Sequence, residues 1–290
     1  MPYAWLLVFF LAPFAIVLRI SFSEVAIAIP PYTPTFDLAD GPAALWDAFR
    51  QLSVSNYQWL ASDPLYINSY LSSLWIALVS TFITLLVGFP IAYGIAQSSP
   101  SARPIFMMMI ILPFWTSFLI RVYAWIGILK PEGLLTLLGQ SLGLLGADEQ
   151  FRILNTQTAV YIGIVYSYLP FMVLPIYAAL ERLDGSLLEA ARDLGCPPLK
   201  AFWQITIPLT LPGIIAGCFL VFIPAVGEFV IPDLLGGSDT LMIGRTLWNE
   251  FFNNRDWPVS SAVAVLLLLV LIIPIVAFQQ AQQRQQEAVR

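Results

Sequence analysis

Two charged residues stand out because each lies beside a long uncharged stretch of the sequence. Arg121 follows the uncharged run 104–120, and Glu228 follows the uncharged run 201–227. Charged side chains in such stretches are costly, and they usually face a partner or a solute path. Two interpretations are open. An ion pair between Arg121 and Glu228 could join two helices, or Glu228 could bind a cationic solute.

Aromatic residues near these charges add to the interpretation that Glu228 binds a cationic solute. Phe229 and Asp233 are four residues apart, and they share one helix face if Pro232 leaves the helix intact. A carboxylate beside an aromatic ring suits an alkylammonium group through charge and through cation–π attraction. Trp115 is a further candidate ring, although packing or a position at the membrane interface is the more ordinary role of a tryptophan. The candidate residues of a substrate path are therefore Glu228, Phe229, Asp233, Trp115 and Arg121.

The residue types needed for covalent or metal chemistry are scarce. The chain has no histidine and two cysteines, Cys196 and Cys218, one in a predicted loop and one in a predicted helix. No disulfide framework is expected from them. Lys130 and Lys200 are followed by proline and alanine, so the sequence has no phosphate-binding loop of the Gly-Lys-Ser/Thr type. The sequence therefore argues against a membrane enzyme and predicts no metal ion or cofactor on this chain.

Composition and charge distribution indicate an integral membrane protein. Hydrophobic residues make up 59% of the 290 residues and charged residues 11%, whereas soluble domains average roughly half and a quarter. A helix needs about 20 mostly apolar residues to cross the hydrocarbon core of a bilayer. We predict an all-α chain that forms a single transmembrane domain over residues 1–290. Its six predicted spans are about 4–23, 69–97, 104–129, 158–180, 206–231 and 259–280.

Every predicted span contains proline, which removes a backbone hydrogen bond and clashes with the preceding turn. We expect kinks or breaks there, of the kind that persist in membranes where neighbouring helices or a watery cavity satisfy the freed carbonyl groups. The apolar run that starts at Trp5 is too long for the core of a cleaved signal peptide. Met1 has no basic flank before this run, which is compatible with a further N-terminal segment.

The predicted loops differ in their density of basic residues, which sets the orientation of a membrane protein. With both termini in the cytoplasm, the inner segments hold six basic residues in about 41 positions and the outer segments five in about 100. The inner segments are 98–103, 181–205 and 281–290. The outer segments are 24–68, 130–157 and 232–258. The outer segments also hold twelve acidic residues, which reflect ordinary tolerance of acids or form a vestibule that concentrates cations.

The loop between the fourth and fifth predicted spans has a regular design. Ser186 and Glu189 have the spacing of a helix-capping box, and Gly195 stands where a helix ends in a left-handed residue. The proline pair 197–198 can open a second short helix. Leucine and alanine residues of the first helix recur on one side. The pattern predicts a compact amphipathic pair of helices within 181–205.

This loop resembles the signature of permease subunits of binding-protein-dependent ABC importers. The family pattern is Glu-Ala-Ala, three residues, Gly, nine residues, Ile, one residue and Leu-Pro, and here Ile207 replaces the leucine. The matching residues are Glu189, Ala190, Ala191, Gly195, Ile205 and Pro208. The resemblance implies that they belong to a cytoplasmic coupling helix, which docks in a groove of a separate ATPase subunit. ATP and Mg would be bound by that partner.

Further segments resemble the polyamine branch of this family and look most similar to the putrescine-type permease subunit. They are 112–125, 222–237 and 251–258, and the similarity covers nearly the whole chain. It implies alternating-access uptake of putrescine or spermidine across the bacterial inner membrane. The implied assembly has two different permease subunits, two ATPases and a periplasmic solute-binding protein, surrounded by membrane lipid, with no nucleic acid.

Two alternatives to a polyamine permease are open. Related permeases of the same family carry other small solutes, such as amines with phosphonate or sugar groups or ferric iron, so another amine or cationic solute would use the same machine. An ion-coupled secondary transporter is the other alternative. It would depend on a sodium or proton gradient, and it would have no use for the coupling signature.

Overall fold

The computed structural model describes residues 2–35, 41–146 and 148–288, and within them the chain is mainly helical. Asp37, Asp40 and Arg290, charged residues of the predicted loops and C-terminus, lie outside this described part. A short hairpin pairs β1 (Glu24–Val25) with β2 (Tyr32–Thr33) in antiparallel orientation. The helices are α1 (Pro2–Leu6), α2 (Ala12–Ile20), α3 (Gly41–Arg50), α4 (Ser55–Ser62), α5 (Pro64–Gln97), α6 (Arg103–Ile111), α7 (Phe118–Leu129), α8 (Leu134–Ser141), α9 (Gln157–Glu181), α10 (Gly185–Asp193), α11 (Pro198–Ala201), α12 (Ile207–Val226), α13 (Val230–Leu234), α14 (Ile243–Trp248) and α15 (Trp257–Ala288).

Four predicted spans correspond to helical stretches that are long and apolar enough to cross a membrane. Within the described residues these stretches are Tyr3–Ile20, Pro64–Gln97, Gln157–Glu181 and Pro198–Val226. Helix α15 is apolar over Trp257–Ile273, the part of it whose side chains the structure describes without a gap. The mainly helical architecture with several membrane-spanning helices is therefore confirmed, and the number of six spans stays a prediction.

The predicted third span, 104–129, is broken into two helices. Helix α6 passes into a 3-10 turn, Leu112–Trp115, and two extended residues then separate it from α7. The stretches on either side of the break, Arg103–Trp115 and Phe118–Ser141, are bent by 93°. The hydroxyl of Thr116 donates to the carbonyl of Pro113 at 2.8 Å, a local bond that competes with helix continuation. The kink or break expected at the proline of this span is therefore observed, and the predicted span 104–129 consists of two helices.

Proline does not interrupt the other long helices of the described part. Helix α5 continues through Pro90, α9 continues through Pro170 and Pro175, and α12 continues through its two internal prolines. The expected break is found at Pro113. There the proline lies in the first turn of the 3-10 segment, where its missing amide has no helical bond to lose.

Residues 1–71 and 242–290 form one compact unit, with a core built from α4, α14, α15 and the start of α5. A buried hydrogen-bonded carboxylate lies next to this core. The hydroxyl of Tyr66 donates to Glu250 at 2.8 Å, and the side-chain amide of Asn254 donates to its other oxygen at 2.8 Å. These bonds fasten the start of α5 to the π-helical turn Asn249–Asn253, which precedes α15.

Asp256 caps the beginning of α15. Its carboxylate accepts a hydrogen bond from the backbone amide of Val259 at 3.0 Å. Burial raises the pKa of Asp256 above its ordinary value, the amide of Val259 opposes this rise, and the nearby carboxylate of Glu250 adds to it. A negative charge at a helix N-terminus is favourable, but here that charge is partly removed from water.

Residues 72–241 form the second compact unit, which contains the candidate site. Helix α9 packs against α12 around a core that includes Met172, Val173, Ile176 and Val221. The close approach of the two helices depends on glycine. A β-carbon at position 213 would lie 2.5 Å from the β-carbon of Ala179 and 2.6 Å from a backbone oxygen of α9.

Candidate functional site

A cavity of about 580 Å³ lies inside the second unit, at the places where two helices are interrupted. It is bordered by the break between α6 and α7, by the middle of α9, and by the residues that join α12 to α13. Its lining combines aromatic rings with one acidic and one basic side chain. The lining residues are Phe114, Phe118, Arg121, Ser167, Tyr168, Phe171, Pro224, Gly227, Glu228, Phe229 and Val230. Three predicted path residues, Arg121, Glu228 and Phe229, therefore line one cavity.

Glu228 lies between two helices and not inside one. Helix α12 ends at Val226, and the predicted span 206–231 therefore ends five residues early. The side chain of Glu228 is buried, with 8% of its surface exposed. One carboxylate oxygen accepts hydrogen bonds from the backbone amides of Val230 at 3.1 Å and Ile231 at 3.4 Å. The other accepts one from the hydroxyl of Tyr168.

Arg121 is held by aromatic rings and by a carbonyl group. Its guanidinium carbon lies 5.0 Å from the ring centroid of Phe114 and 5.8 Å from that of Phe118. One guanidinium nitrogen donates to the backbone carbonyl of Pro113. These contacts are possible because the break before α7 brings Phe114 back toward the first turn of that helix.

The ion pair considered between Arg121 and Glu228 is not formed in the described part of the chain. Both side chains border the same cavity, but the hydrogen bonds of Arg121 and those of Glu228 go to different groups. A direct structural pair between the two helices therefore does not explain why these charges lie in apolar surroundings. The binding interpretation for Glu228 remains a proposal.

Asp233 and Trp115 lie near the cavity in sequence but are not among the residues that line it. Helix α13 continues through Pro232, and the amide of Asp233 donates to the carbonyl of Phe229 at 3.0 Å, so the condition set for Pro232 is met. The side chain of Asp233 is exposed. Trp115 is 77% exposed, and the neighbouring ring of Phe114 takes the place at the cavity.

The predicted coupling loop contains α10 and α11 joined by a tight turn. Helix α10 begins at Gly185, and its cap is Asp184, whose carboxylate accepts from the amide of Ser186 at 3.0 Å. The predicted capping box of Ser186 and Glu189 is therefore wrong. The N-cap residue is Asp184, two positions before Ser186, and its carboxylate is the acceptor. The hydrogen bond from Ser186 holds the pKa of Asp184 below its ordinary value.

The end of α10 confirms the prediction for Gly195. Its φ is +74°, in the left-handed region that glycine favours. The amide of Gly195 donates to the carbonyl of Arg192 at 2.9 Å, and that of Cys196 donates to Ala191 at 2.9 Å. This pair of bonds is the Schellman arrangement, which satisfies the last carbonyl groups of a helix. Pro198 then starts α11, as predicted for one of the two prolines.

The other signature residues occupy different surroundings. Glu189 and Ala190 are exposed on α10, whereas Ala191 faces inward and is buried. Ile205 is half-buried in the π-helical turn Phe202–Thr206, which runs directly into α12, and Pro208 is exposed in the first turn of α12. Large apolar side chains are exposed beside them, with Leu194 at 88% and Leu199 at 72%.

Sequence reasoning missed four aromatic residues of the cavity, Phe114, Phe118, Tyr168 and Phe171. Phe118 had a usable signal, because it lies three residues before Arg121 and therefore on the same face of α7. Tyr168 and Phe171 had none, since aromatic residues in a membrane helix are ordinary and only the packing of α9 shows which of them border the cavity.

A membrane protein with several spans, a cavity that combines charged and aromatic residues, and an exposed apolar loop helix has the architecture of a transport permease. The family model described as "Binding-protein-dependent transport system inner membrane component" matches residues 1–286, and the chain belongs to this family.

Similar proteins include two spermidine/putrescine transport system permease proteins named PotB. The protein from Haemophilus influenzae is 41% identical over 263 residues, which cover 91% of this chain and 85% of the relative. The protein from Escherichia coli is 46% identical over 215 residues, which cover 74% of this chain and 77% of the relative. Both relatives are transport permease subunits.

Solved structures share the fold at low sequence identity. A bacterial ABC transporter involved in the import of the acidic polysaccharide alginate has a TM-score of 0.71 at 16% identity, over 98% of this chain and 92% of that one. The alginate transporter in complex with its periplasmic protein, bound to an alginate pentasaccharide, also has a TM-score of 0.71, at 15% identity, over 98% of this chain and 91% of that one. At such identities the likeness shows the fold alone.

Proposed function

We propose that this chain is a permease subunit of an ATP-driven importer for spermidine, putrescine or both. The observation that carries the proposal is the cavity in which the buried carboxylate of Glu228 lies among aromatic rings. The names of the two relatives support a polyamine as the solute. Polyamines are flexible alkyl chains that carry ammonium groups, and these groups bind to carboxylates by charge and to aromatic faces by cation–π attraction.

In this proposal the cavity binds solute without covalent chemistry. Tyr168 and two backbone amides fix the position of the Glu228 carboxylate, so little reorganisation is needed when an ammonium group arrives. The rings of Phe114, Phe171 and Phe229 supply apolar and cation–π contacts to the alkyl chain. The cavity would open alternately to the two sides of the membrane.

Coupling to ATP would use the exposed side of the loop helices. Leu194 and Leu199 are large apolar side chains outside the predicted spans, and most of the surface of each is exposed. Such exposed side chains are typical of a surface that a partner covers. We propose that a separate ATPase subunit binds here, and that ATP and Mg are bound by that subunit. The residues proposed for coupling are Glu189, Ala190, Ala191, Gly195, Ile205 and Pro208.

The proposed assembly contains a second, different permease subunit, two ATPases and a periplasmic solute-binding protein. The alginate transporter with its bound periplasmic protein supports the presence of a solute-binding partner of this kind. We propose six spans with both termini in the cytoplasm, because basic residues are denser in the predicted inner segments.

A second candidate is an importer for another amine solute, in particular one that also carries an acidic group. The observation that favours it is the presence of Arg121 in the same cavity as Glu228. A guanidinium group attracts carboxylates and phosphonates, and it repels a purely cationic solute.

Uptake by the reconstituted complex separates these candidates. The chain would be co-expressed with its ATPase, its partner permease and its solute-binding protein, and then placed in lipid vesicles. We expect ATP-dependent uptake of labelled putrescine or spermidine and weak uptake of an aminoalkylphosphonate. Preference for the phosphonate would support the second candidate. Uptake that follows a sodium or proton gradient in the absence of ATP would contradict both.

A further inference from the structure

The aromatic face that would attract a solute ammonium group is already occupied by a cation of the protein. The guanidinium group of Arg121 lies over Phe114 at 5.0 Å and near Phe118 at 5.8 Å. Both distances fall within the range of cation–π attraction. Phe114 and Phe118 are hereafter called the aromatic seat, and in this structure Arg121 fills it.

Arg121 is held in the aromatic seat without a carboxylate. Its hydrogen bond goes to the carbonyl of Pro113, and within the described residues no ion pair joins it to Glu228. Its Nε is buried and has no hydrogen-bond partner among the residues that the structure describes. An unsatisfied buried donor lowers the stability of the arrangement that contains it. The arrangement of Arg121 is therefore less stable than one in which every guanidinium donor is paired.

A chain of aromatic contacts links the seat to Glu228. Phe114 packs edge-to-face against Phe171 with ring centroids 5.3 Å apart, and Phe171 lies 6.1 Å from the ring of Tyr168. The hydroxyl of Tyr168 donates to Glu228. The wall of the cavity therefore carries two places that favour a cation, the carboxylate at one end and the aromatic seat at the other.

We propose that Arg121 is an internal competitor for the solute, which one ammonium group of a polyamine displaces from the aromatic seat while another binds at Glu228. The proposal rests on the function proposed above and adds a specificity-determining role for Arg121. This role would account for the presence of a positively charged arginine in a cavity that binds cations. The guanidinium group occupies the seat when solute is absent, and a monoamine bound at Glu228 would leave it there.

Direct binding to the assembled complex tests this role. Equilibrium dialysis of labelled putrescine against the purified complex, without the solute-binding protein, measures the dissociation constant of the cavity itself. Arg121→Gln removes the competitor, and we expect a dissociation constant about tenfold lower, the size of a moderate cation–π contribution. Arg121→Lys keeps a cation and is the matched control, expected to stay within about twofold of the wild type. An unchanged or higher value for Arg121→Gln would overturn the proposal.

A double-mutant comparison separates competition for the seat from simple charge repulsion. Phe114→Leu removes the main ring of the seat, so the gain from Arg121→Gln should disappear in that background. Butylamine, which has one ammonium group, should gain less than putrescine from Arg121→Gln. If the gain persists in Phe114→Leu, or is equal for the two amines, Arg121 acts only by repulsion and the proposal is wrong.

The outcomes also separate this proposal from the proposed function. If the complex takes up polyamine with ATP but Arg121→Gln does not change the dissociation constant, the proposed function holds. The proposal that Arg121 competes with the solute is then wrong. Co-purification with the ATPase measures assembly of each variant. If Arg121→Gln does not assemble, Arg121→Met is the second neutral variant, with an apolar, unbranched side chain in place of the amide. Failure of both variants to assemble would show a structural role and would also overturn the proposal.

Discussion

Glu228 and Asp233 are five residues apart but occupy different surroundings. Glu228 is buried at the cavity with three hydrogen-bond donors, whereas Asp233 is exposed on α13 and does not line the cavity. Removal of charge should therefore affect the two positions unequally, although both residues were candidates for the substrate path.

We expect Glu228→Gln to reduce polyamine uptake by the reconstituted complex about tenfold or more, since each 1.4 kcal/mol of lost binding is one order of magnitude. Asp233→Asn is the matched control and should reduce uptake by less than about threefold. The yield of complex that co-purifies with the ATPase corrects for folding. Normal uptake by Glu228→Gln at normal yield would show that this carboxylate is not a recognition group.

The sequence identified Arg121 and Glu228 because a charge in an apolar stretch is conspicuous. It did not show what they contact. Their partners are Pro113, Phe114 and Tyr168, and these contacts depend on two helix interruptions that the apolar pattern does not reveal. An ion pair was a reasonable expectation for two opposite charges in apolar stretches, but in the structure each group makes its own local contacts instead.

Among the elements, the predicted coupling loop agreed with the sequence at the C-terminal end of its first helix. Gly195 could be placed at a left-handed helix end because the capping pattern is local and needs no knowledge of packing. The break after Trp115 could not be placed, since Pro113 is compatible with a continuous kinked helix as well, and long helices of this chain do continue through proline.

Gly195 offers a test of coupling that acts through the backbone. A β-carbon at this position would meet nothing within 4 Å, so the cost of substitution comes from the φ of +74°. A left-handed conformation costs most residues about 1–2 kcal/mol, and asparagine tolerates it better. We expect Gly195→Val to weaken co-purification of the ATPase and to uncouple ATP hydrolysis from uptake, with Gly195→Asn much milder. Equal, normal coupling in both variants would exclude this helix end from the ATPase contact.

The raised pKa of Asp256, at the start of α15, predicts that the stability of the folded protein depends on pH. Its pKa is raised in the folded protein above the ordinary value of 3.8. The folded state therefore binds the proton more tightly than the unfolded state, and stability is lost as pH rises from that value through the folded pKa. Asp256→Asn keeps the oxygen that accepts from Val259 and removes the charge.

The comparison is made by thermal unfolding of the purified complex between about pH 4 and pH 7. We expect the melting temperature of Asp256→Asn, relative to the wild type, to increase as the pH rises. Ser260→Ala lies one turn further along α15 and carries no charge, so it serves as a control without a pH-dependent difference. A difference that stays constant with pH, or that decreases, would contradict the assigned direction of the pKa.

For the molecule as a whole, apolar length predicted most spans because a membrane imposes the same length requirement on each of them. It is least informative for the segment after α2, which contains the hairpin of β1 and β2. That hairpin was not predicted, because each of its strands has two residues, too few to show an alternating pattern.

Orientation in the membrane is the property of the whole chain that the loop charges predict and that a labelling experiment can decide. Ser99 lies in a predicted inner loop and Asp148 in a predicted outer one, and both side chains are exposed.

Single cysteines at these positions would be introduced after replacement of Cys196 and Cys218 by serine or alanine. A membrane-impermeant maleimide applied to spheroplasts should label Asp148→Cys and should label Ser99→Cys only after the membrane is permeabilised. Because each variant is compared with itself before and after permeabilisation, differences in thiol reactivity cancel. Labelling of Ser99→Cys alone in intact spheroplasts would reverse the orientation, and it would place the loop of α10 and α11 on the side of the membrane where no ATPase could reach it.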